Sequence, residues 1–293
     1  MDTLIYWLAR ALIAFLQALP LNWVAHLGRA GGAMAFWIDA RHRNVALENL
    51  RLCFPEKSPE EIRALAKEHY RRIGENYCCA IKTAAMNFEQ LRQHVEFVKP
   101  ELLSPTRRLV IAIGHFGNFE LYARFGDVAP GYQCATTYRA LNQPALNELM
   151  QSLREKSGAL FFERRADGPL LRMAMNRPNI ALGLLADQHA GKNGLQIPFF
   201  GHDCSTTPAP AVFALRYDCE LFTAFCFRVA PAKWRLELGE KIPTHENGKP
   251  RPTTEIMRDV NRSFEAAVRR DPANWFWVHR RWKMAKTKME NGG

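Results

Sequence analysis

The sequence predicts an α/β protein with a mixed, largely parallel sheet flanked by helices, preceded by N-terminal membrane-associated helices. Three runs, at 109–113, 133–138 and 180–186, have the length and composition of buried strands. Polar residues follow each run, which places them at one rim of the sheet, where open α/β sheets bind ligands. A helical segment at 144–157 separates the second strand from the third.

The N-terminal region is apolar and contains tryptophans. Residues 4–19 are apolar except for Arg10 and Gln17, and Pro20 breaks the run before a second predicted helix, 23–38, capped by Asn22. The first run has about 16 residues, fewer than the ~20 of a spanning helix, and lacks the features of a signal peptide. We interpret 1–40 as a membrane anchor, either a steeply inserted helix or a monotopic hairpin. The alternative is an amphipathic helix pair that packs on the domain.

The next segments predict a basic surface and a long helix. Residues 39–51 are polar and basic, and we expect their charges at the cytoplasmic headgroups. Ser58 and Glu61 form a capping-box pattern, which predicts a helix that extends to about Met86. Its apolar residues recur at helical spacing, so this helix is expected to pack on the core.

The central stretch, 109–120, carries the candidate chemistry. A buried strand ends at Gly114, His115 follows, and a helix is predicted over 120–125. In one continuous helix His115 and Glu120 would lie roughly 140° apart, so they meet only if the chain turns between them. Glycines at 114 and 117 allow such a turn. The predicted pair is an imidazole general base oriented by the Glu120 carboxylate. The alternative for His115 is a strand-end histidine bonded to backbone.

Polar residues near the other strand ends are further candidates. Arg139 and Arg154 offer guanidinium groups for a phosphate or a developing oxyanion, or are solvated surface charges. Asp187 is expected to bind an acceptor, to orient a catalytic group, or to form a turn. No metal site is predicted, because the His189, His202, Asp203 and Cys204 spacing matches no zinc pattern.

The C-terminal third predicts two strands, a helix and an aromatic tail. The strands are expected over 221–229 and 234–238 around Pro231, and the helix over 253–269. Residues 275–283 mix aromatic and cationic side chains, which suits a headgroup layer or a phosphorylated glycolipid. The alternative is a surface aromatic cluster.

Charge and cysteine content limit the partners and the compartment. The net charge of +11 indicates an anionic partner, which is a nucleic acid, an acidic carrier protein or an anionic membrane. No nucleic-acid-binding signature is present, and the aromatic and basic residues near the ends favour a membrane. The seven cysteines include no C-x-x-C pair, which indicates a reducing compartment.

Several motifs resemble one enzyme family. The stretch His115-Phe-Gly-Asn-Phe-Glu120 is similar to the His-x4-Asp/Glu motif of glycerolipid acyltransferases, in the form found in the lipid A biosynthesis (lauroyl/myristoyl) acyltransferase family. The resemblance covers about 4–283. Further matching stretches are Arg41–Leu50, Cys53-Phe-Pro-Glu56, Tyr138-Arg139, Ala186-Asp-Gln188, Pro198–Gly201 and Trp275–Lys283.

The resemblance implies a glycerolipid acyltransferase-like domain over 41–293. It implies O-acyl transfer from acyl–acyl carrier protein to a lipid A precursor at the cytoplasmic face of a bacterial inner membrane, without metal or redox cofactor. The donor alternative is an acyl–coenzyme A. The implied catalytic residues are His115 and Glu120, and the implied substrate-binding residues are Asn118, Arg139, Arg154, Asp187 and Gln188. The alternatives are acylation of a lysophospholipid, an aminolipid or a phosphoinositol mannoside, a hydrolase, and a non-catalytic membrane-binding scaffold.

Overall fold

The computed structural model describes residues 2–98, 107–129 and 131–283. A seven-stranded mixed sheet lies between helices, and two short two-stranded sheets lie beside it. The helices are α1 (Asp2–Ala18), α2 (Leu21–Ile38), α3 (Ala40–Cys53), α4 (Pro59–Thr83), α5 (Phe88–Leu91), α6 (Pro144–Glu155), α7 (Gly168–Met175), α8 (Ala209–Arg216) and α9 (Thr253–Arg270). The strands are β1 (Val95–Val98), β2 (Leu109–Ile113), β3 (Gln133–Tyr138), β4 (Leu160–Glu163), β5 (Ile180–Leu185), β6 (Leu195–Phe199), β7 (His202–Thr206), β8 (Glu220–Ala230), β9 (Lys233–Ile242), β10 (His245–Glu246) and β11 (Lys249–Pro250). Two 3-10 helices follow Asn118 and Asp271, at Phe119–Asp127 and Pro272–Asn274.

The main sheet has the order β1-β9-β8-β2-β5-β3-β4. Its neighbouring strands run parallel except β8 and β9, which pair antiparallel. The prediction of a mixed, largely parallel sheet is therefore confirmed. Because β2, β5, β3 and β4 run in one direction, their carboxyl ends lie along the same edge, and the residues that follow them are neighbours in space.

The central strand β2 is buried on both faces, as expected for a strand with neighbours on both sides and helices above and below. Val110 and Ala112 belong to one apolar cluster together with Phe264 of α9. Ile111 and Ile113 point to the opposite face, because side chains alternate along a strand. This second face forms the floor of the large cavity described below.

Most predicted elements are present, with small shifts at their ends. The strands expected at 109–113 and 133–138 have those bounds, and the two C-terminal strands form a hairpin in which Ala232 has a positive φ of 57°. Strand β5 ends at Leu185, and the long helix α4 ends at Thr83 with the capping box of Ser58 and Glu61 in place. The short elements β1, β4, β6, β7, β10, β11, α5 and α7 were not predicted from the sequence.

Segment 39–51 differs from its prediction. It forms the amphipathic helix α3, whose N-cap is Asp39 and whose apolar face, including Val45 and Leu50, is buried in the core. The basic residues that dominated the sequence pattern occupy the other face. The segment is therefore a packed helix and not only a charged surface.

The N-terminal helices lie against α4. Helix α2 begins one residue after Pro20, so Asn22 lies inside the helix and does not cap it. The backbones of α2 and α4 approach closely at Gly28, Gly32 and Gly74, where an added Cβ would meet backbone oxygens at 2.1–2.4 Å. No helix in the described ranges has the length and apolar character needed to cross a membrane. The outward faces of α1 and α2 carry exposed large apolar side chains: Leu4, Trp7, Leu8, Leu12, Phe15, Trp23, Leu27, Met34, Trp37 and Ile38.

The aromatic tail corrects the prediction of a headgroup-facing segment. Trp275, Trp277 and Arg281 are fully buried, and Trp282 stacks on Phe199 with 5.7 Å between ring centroids. The guanidinium group of Arg281 donates to the backbone oxygens of Gln188 and Ser205 and to the hydroxyl of Thr206. A mixture of aromatic and cationic side chains is therefore compatible with a membrane interface, and also with a protein core in which fixed acceptors bind the cation. Of the tail cations, Arg280 and Lys283 are exposed.

The glycine contacts between α2 and α4 give a test with an internal control. Gly32→Ala places a methyl group against the backbone oxygen of Tyr70, so we expect it to lower the free energy of unfolding by about 1–3 kcal/mol or more. Gly31→Ala, one residue earlier, meets nothing within 4 Å. It should leave stability unchanged or raise it by up to about 1 kcal/mol, through helix propensity.

The measurement is the chemical-denaturation midpoint of the two variants in the same detergent. Equal midpoints for Gly31→Ala and Gly32→Ala would contradict the close packing of α2 on α4.

Candidate functional site

His115 and Asp187 form the central pair of the site. His115 follows the end of β2, and Asp187 follows the end of the neighbouring strand β5. The imidazole Nδ1 lies 2.8 Å from Asp187 Oδ1, and the backbone N–H of His115 donates to Asp187 Oδ2 at 2.7 Å. Because Ile113 is paired with Leu185 in the register of the two strands, the sheet itself brings the two residues together.

The Asp187 carboxylate is buried and fully engaged. Besides the two contacts with His115, its Oδ2 accepts the indole N–H of Trp275 at 2.8 Å. Burial alone would raise the pKa of Asp187, but the charge of His115 and the hydrogen bonds from His115 and Trp275 outweigh it and lower that pKa. The carboxylate is therefore held ionised in an environment that has excluded water.

This environment fixes the tautomer of His115. An ionised carboxylate only accepts hydrogen bonds, so Nδ1 carries a proton and, in the neutral form of the ring, Nε2 has the lone pair. The amide nitrogen of Gln188 lies 3.4 Å from Nε2, on the side that faces the cavity. The ring is also held between Phe119 and Phe276, at centroid distances of 4.9 and 5.7 Å. The arrangement presents a basic nitrogen in a fixed direction.

The loop that carries His115 is held by the C-terminal tail. Gly117 has a positive φ of 52°, and its N–H donates to the Asn274 oxygen at 3.0 Å. Phe116 forms an isolated antiparallel bridge with Trp275. A Cβ on Gly117 would lie 2.4 Å from the Cys226 oxygen, so only glycine fits this turn.

Glu120 does not orient His115, which corrects the predicted pair. The chain does turn after His115, but the 3-10 helix that follows places the Phe119 ring against the imidazole and directs Glu120 toward α6. There the carboxylate accepts two hydrogen bonds from Arg154, at 3.1 and 2.7 Å. Within the described chain Glu120 makes no hydrogen bond or ion pair with His115. The carboxylate on the imidazole is that of Asp187.

The seven predicted site residues fall into two groups. His115, Glu120, Arg139, Arg154 and Gln188 line one cavity of about 880 Å³ above the sheet. The remaining two are fixed within the protein and do not line it. Asn118 is buried, with its amide 3.4 Å from the Thr83 hydroxyl, and Asp187 is 1% exposed. Asp187 therefore supports the imidazole, whereas Asn118 lines a second, much smaller cavity that His115 and Glu120 also border.

The cavity is suited to a long, partly apolar ligand. Its walls combine apolar groups from the sheet, such as Ile111 and Ile113, with the cationic Arg139 and the Glu120–Arg154 pair. The free nitrogen of His115 faces this space. Among the residues that the structure describes, no group of three or more His, Cys, Asp or Glu side chains is arranged to hold a metal ion. The site can abstract a proton from a hydroxyl group through His115.

Trp275 belongs to the candidate site through its hydrogen bond to Asp187, although the sequence analysis assigned it to a headgroup-facing segment. Its position after a 3-10 helix and 160 residues from His115 gave no local signal of contact with Asp187. The contact of Asp187 with His115 had a signal in the sequence, since both residues follow predicted strands at one rim. Strand order, which the sequence did not supply, decides which carboxylate reaches the imidazole.

Several known proteins are similar to this chain over most of its length. The chain is 25% identical over 290 residues to the lipid A biosynthesis palmitoleoyltransferase of Escherichia coli (strain K12), with 94% of this chain and 90% of that protein covered. It is 22% identical to the lipid A biosynthesis lauroyltransferase of the same organism, with the same coverage. A phosphatidylinositol mannoside acyltransferase of Mycolicibacterium smegmatis is 23% identical, with 78% of this chain and 74% of that protein covered. The family model described as bacterial lipid A biosynthesis acyltransferase matches residues 1–284, and the chain belongs to that family of acyltransferases.

Proposed function

We propose that this acyltransferase moves a fatty acyl chain from acyl–acyl carrier protein to a hydroxyl of a lipid A precursor, at the cytoplasmic face of the bacterial inner membrane. The observation that carries the proposal is the His115–Asp187 pair, whose free imidazole nitrogen faces a cavity of about 880 Å³. The acceptor is taken from the names of the relatives, which are lipid A acyltransferases.

In the proposed reaction His115 acts as the general base. Its Nε2 takes the proton of the acceptor hydroxyl while Asp187 stabilises the imidazolium that forms. The alkoxide oxygen attacks the thioester carbonyl and gives a tetrahedral oxyanion. When this intermediate collapses, the carbon–sulfur bond breaks and the leaving thiolate takes the proton back from His115. No covalent acyl-enzyme is required.

Glu120 and Arg154 are assigned a different role from His115. The two side chains form a bidentate pair in the cavity wall, so Glu120 fixes the direction of the guanidinium group. Arg154 also lies over the rings of Tyr138 and Phe161, at 5.8 and 5.4 Å. Held in this way, Arg154 is positioned to stabilise the negative charge on the tetrahedral intermediate.

Electrostatics support an acidic donor. The chain carries a net charge of +11, and an acyl carrier protein is the acidic partner that the resemblance implies. A second acceptor class has its own support, because one relative is named a phosphatidylinositol mannoside acyltransferase. Both acceptors present a hydroxyl to His115, so the mechanism is common to them.

The exposed apolar faces of α1 and α2 support membrane association. We propose that residues 1–40 lie in the membrane interface and that residues 41–293 form the catalytic domain. Trp7, Trp23 and Trp37 are 57–67% exposed, and the amphipathic indole favours the headgroup level. Since α2 is packed on α4, the interfacial helices and the catalytic domain form one unit on the membrane surface.

The first prediction concerns catalysis. His115→Ala and Asp187→Asn should each lower the rate of transfer by about 10²–10⁴-fold, because one removes the base and the other its orienting charge. Arg154→Lys should cost about 10²–10³-fold in kcat through loss of an oxyanion donor. The assay uses the purified chain with acyl–acyl carrier protein, and mass spectrometry detects the acylated lipid. A lipid A precursor, a lysophospholipid and a phosphoinositol mannoside are tested in parallel.

The control for these variants is their unfolding midpoint, which should stay near that of the wild type for Arg154→Lys. Near-normal transfer by a folded His115→Ala variant contradicts the mechanism. Product from the phosphoinositol mannoside alone would replace the proposed acceptor while leaving the mechanism intact.

The second prediction concerns the Trp275–Asp187 hydrogen bond. Trp275→Phe keeps an aromatic ring in the core but removes the donor, so the pKa of Asp187 rises and the carboxylate binds the proton on His115 more tightly. Protonation of His115, which prevents it from acting as a base, then occurs at a higher pH than in the wild type. The acid limb of the kcat/KM profile should move to higher pH, with activity recovered above it.

Trp282→Phe is the matched control, because that indole donates to the Phe199 oxygen and not to Asp187. A uniform loss of activity in Trp275→Phe at all pH values would indicate that Trp275 contributes only packing.

The third prediction concerns the membrane. The double substitution Leu8→Lys and Leu12→Lys replaces exposed apolar side chains of α1, so it should not disturb the core but should weaken binding to lipid vesicles. Val229→Lys, on the exposed part of β8, should leave binding unchanged. Co-sedimentation with vesicles that contain anionic lipid is the measurement. Equal sedimentation of all three proteins would show that α1 is not the docking face.

A further inference from the structure

We propose that four arginines of the large cavity, Arg139, Arg164, Arg172 and Arg216, form a binding site for a phosphoryl group of the substrate. The site deepens the proposed function, because it assigns a second recognition point to the ligand whose hydroxyl or thioester reacts at His115. All four side chains line the same cavity as His115. None of them takes part in the His115–Asp187 pair or the Glu120–Arg154 pair.

The sheet topology places two of these arginines at the catalytic edge. Arg139 follows β3 and Arg164 follows β4, and these parallel strands pair with Tyr138 opposite Glu163. The Arg164 N–H donates to the Tyr138 oxygen at 3.0 Å, so the two strand ends are joined directly beside the arginines. In sheet order the edge presents His115 after β2, Asp187 after β5, Arg139 after β3 and Arg164 after β4. Arg172 and Arg216 reach the same cavity from α7 and α8.

The spacing between strands sets the distance that a ligand must span between His115 and these arginines. Neighbouring strands lie about 4.8 Å apart, so the ends of β3 and β4 are about 10 and 14 Å from the end of β2. A ligand with its reacting group at His115 would therefore place an anionic group about 10–14 Å away to meet these arginines. A phosphorylated sugar lipid and a phosphopantetheine thioester both have this kind of separation between the reacting atom and the phosphate.

The four arginines are not ion-paired with the acids that line the same cavity. Over the ranges that the structure describes, none of the four guanidinium groups forms a salt bridge with a carboxylate. The acids that share the cavity have other partners: Glu163 accepts the N–H groups of Arg165 and Ala166, Asp167 accepts the N–H of Glu163, and Glu120 binds Arg154. Five arginines and three acids line the cavity, which leaves an excess of two positive charges.

A phosphoryl group fits this arrangement better than a carboxylate does. It offers three oxygens and up to two negative charges, and several forked guanidinium groups can bind it together. A single carboxylate is satisfied by one such fork, as Glu120 is by Arg154. Four separate cationic side chains around one space therefore point to a multivalent anion.

Binding provides a readout that does not depend on turnover. The probe is a hydroxylated, phosphorylated glycolipid, compared with the same lipid lacking its phosphoryl groups, and titrated by calorimetry against the detergent-solubilised full chain. We expect removal of the phosphoryl groups to weaken binding about 10- to 100-fold. The double variant Arg139→Gln and Arg164→Gln should bind the phosphorylated lipid correspondingly weakly and lose the preference. Arg165→Gln removes the same charge from a neighbour that is exposed like Arg139 and Arg164 but does not line the cavity, and it should bind like the wild type.

Kinetics identify the source of the phosphate. KM is measured with phosphorylated and dephosphorylated acceptors, and with acyl-phosphopantetheine and acyl-pantetheine donors. A rise in KM of the double variant that is confined to the phosphorylated acceptor assigns the site to the lipid. The alternative is a rise in KM that is confined to the phosphorylated donor, together with lipid binding that does not depend on the phosphoryl groups. That result assigns the site to the phosphopantetheine arm of the carrier. Both outcomes support the phosphoryl site.

Two outcomes would overturn the inference. One is an equal effect of the double variant on all substrates, with and without phosphate. The other is an effect of Arg165→Gln as large as that of the double variant, which would indicate general charge steering. If the wild type transfers no acyl group to any acceptor, the proposed function fails, whereas the binding titrations still decide whether the arginines bind phosphate.

Discussion

The buried carboxylate of Asp187 is the constraint on which the rest of the site depends. A fully buried carboxylate is costly unless donors surround it, and here the donors are the backbone and ring of His115 and the indole of Trp275. These donors come from three parts of the chain, so the site forms only when β2, β5 and the C-terminal tail are all in place. Removing one partner leaves the charge without compensation, which ties the geometry of the base to the stability of the fold.

The C-terminal tail shows that amino-acid composition alone does not determine whether a segment is buried or faces a membrane. Its aromatic and cationic residues resemble those of a membrane-facing segment, yet Trp275 and Arg281 lie in the core. A guanidinium group can be buried when its donors meet fixed acceptors, and Arg281 meets the Gln188 and Ser205 oxygens and the Thr206 hydroxyl. One of those acceptors belongs to Gln188, which contacts His115, so the tail holds groups on both sides of the His115–Asp187 pair. The outward faces of α1 and α2, by contrast, leave their apolar residues exposed.

Sequence reasoning recovered the parts of the fold that local patterns determine. The apolar run of β2 and the Ser58–Glu61 capping box are encoded within a few residues, and both are present. The identity of the carboxylate on His115 is not local, because Asp187 lies 72 residues away and reaches it only through the pairing of β2 with β5. Glu120 lies close to His115 in the sequence, but within the described ranges it makes no hydrogen bond with it. The prediction that strand ends share a rim was the correct intermediate step, but strand order was needed to complete it.

That strand order also organises charge along the edge of the sheet. The ends of β2 and β5 carry the His115–Asp187 pair, and the ends of β3 and β4 carry arginines without acidic partners in the described ranges. The net charge of +11 indicates only that the protein attracts anions, and it does not show where they bind. In the proposed mechanism the sheet gives this attraction a direction, because it separates the place where the proton moves from the place where negative charge is bound. A ligand that spans both places is oriented before it reacts, and orientation of this kind lowers the entropic part of the barrier to transfer.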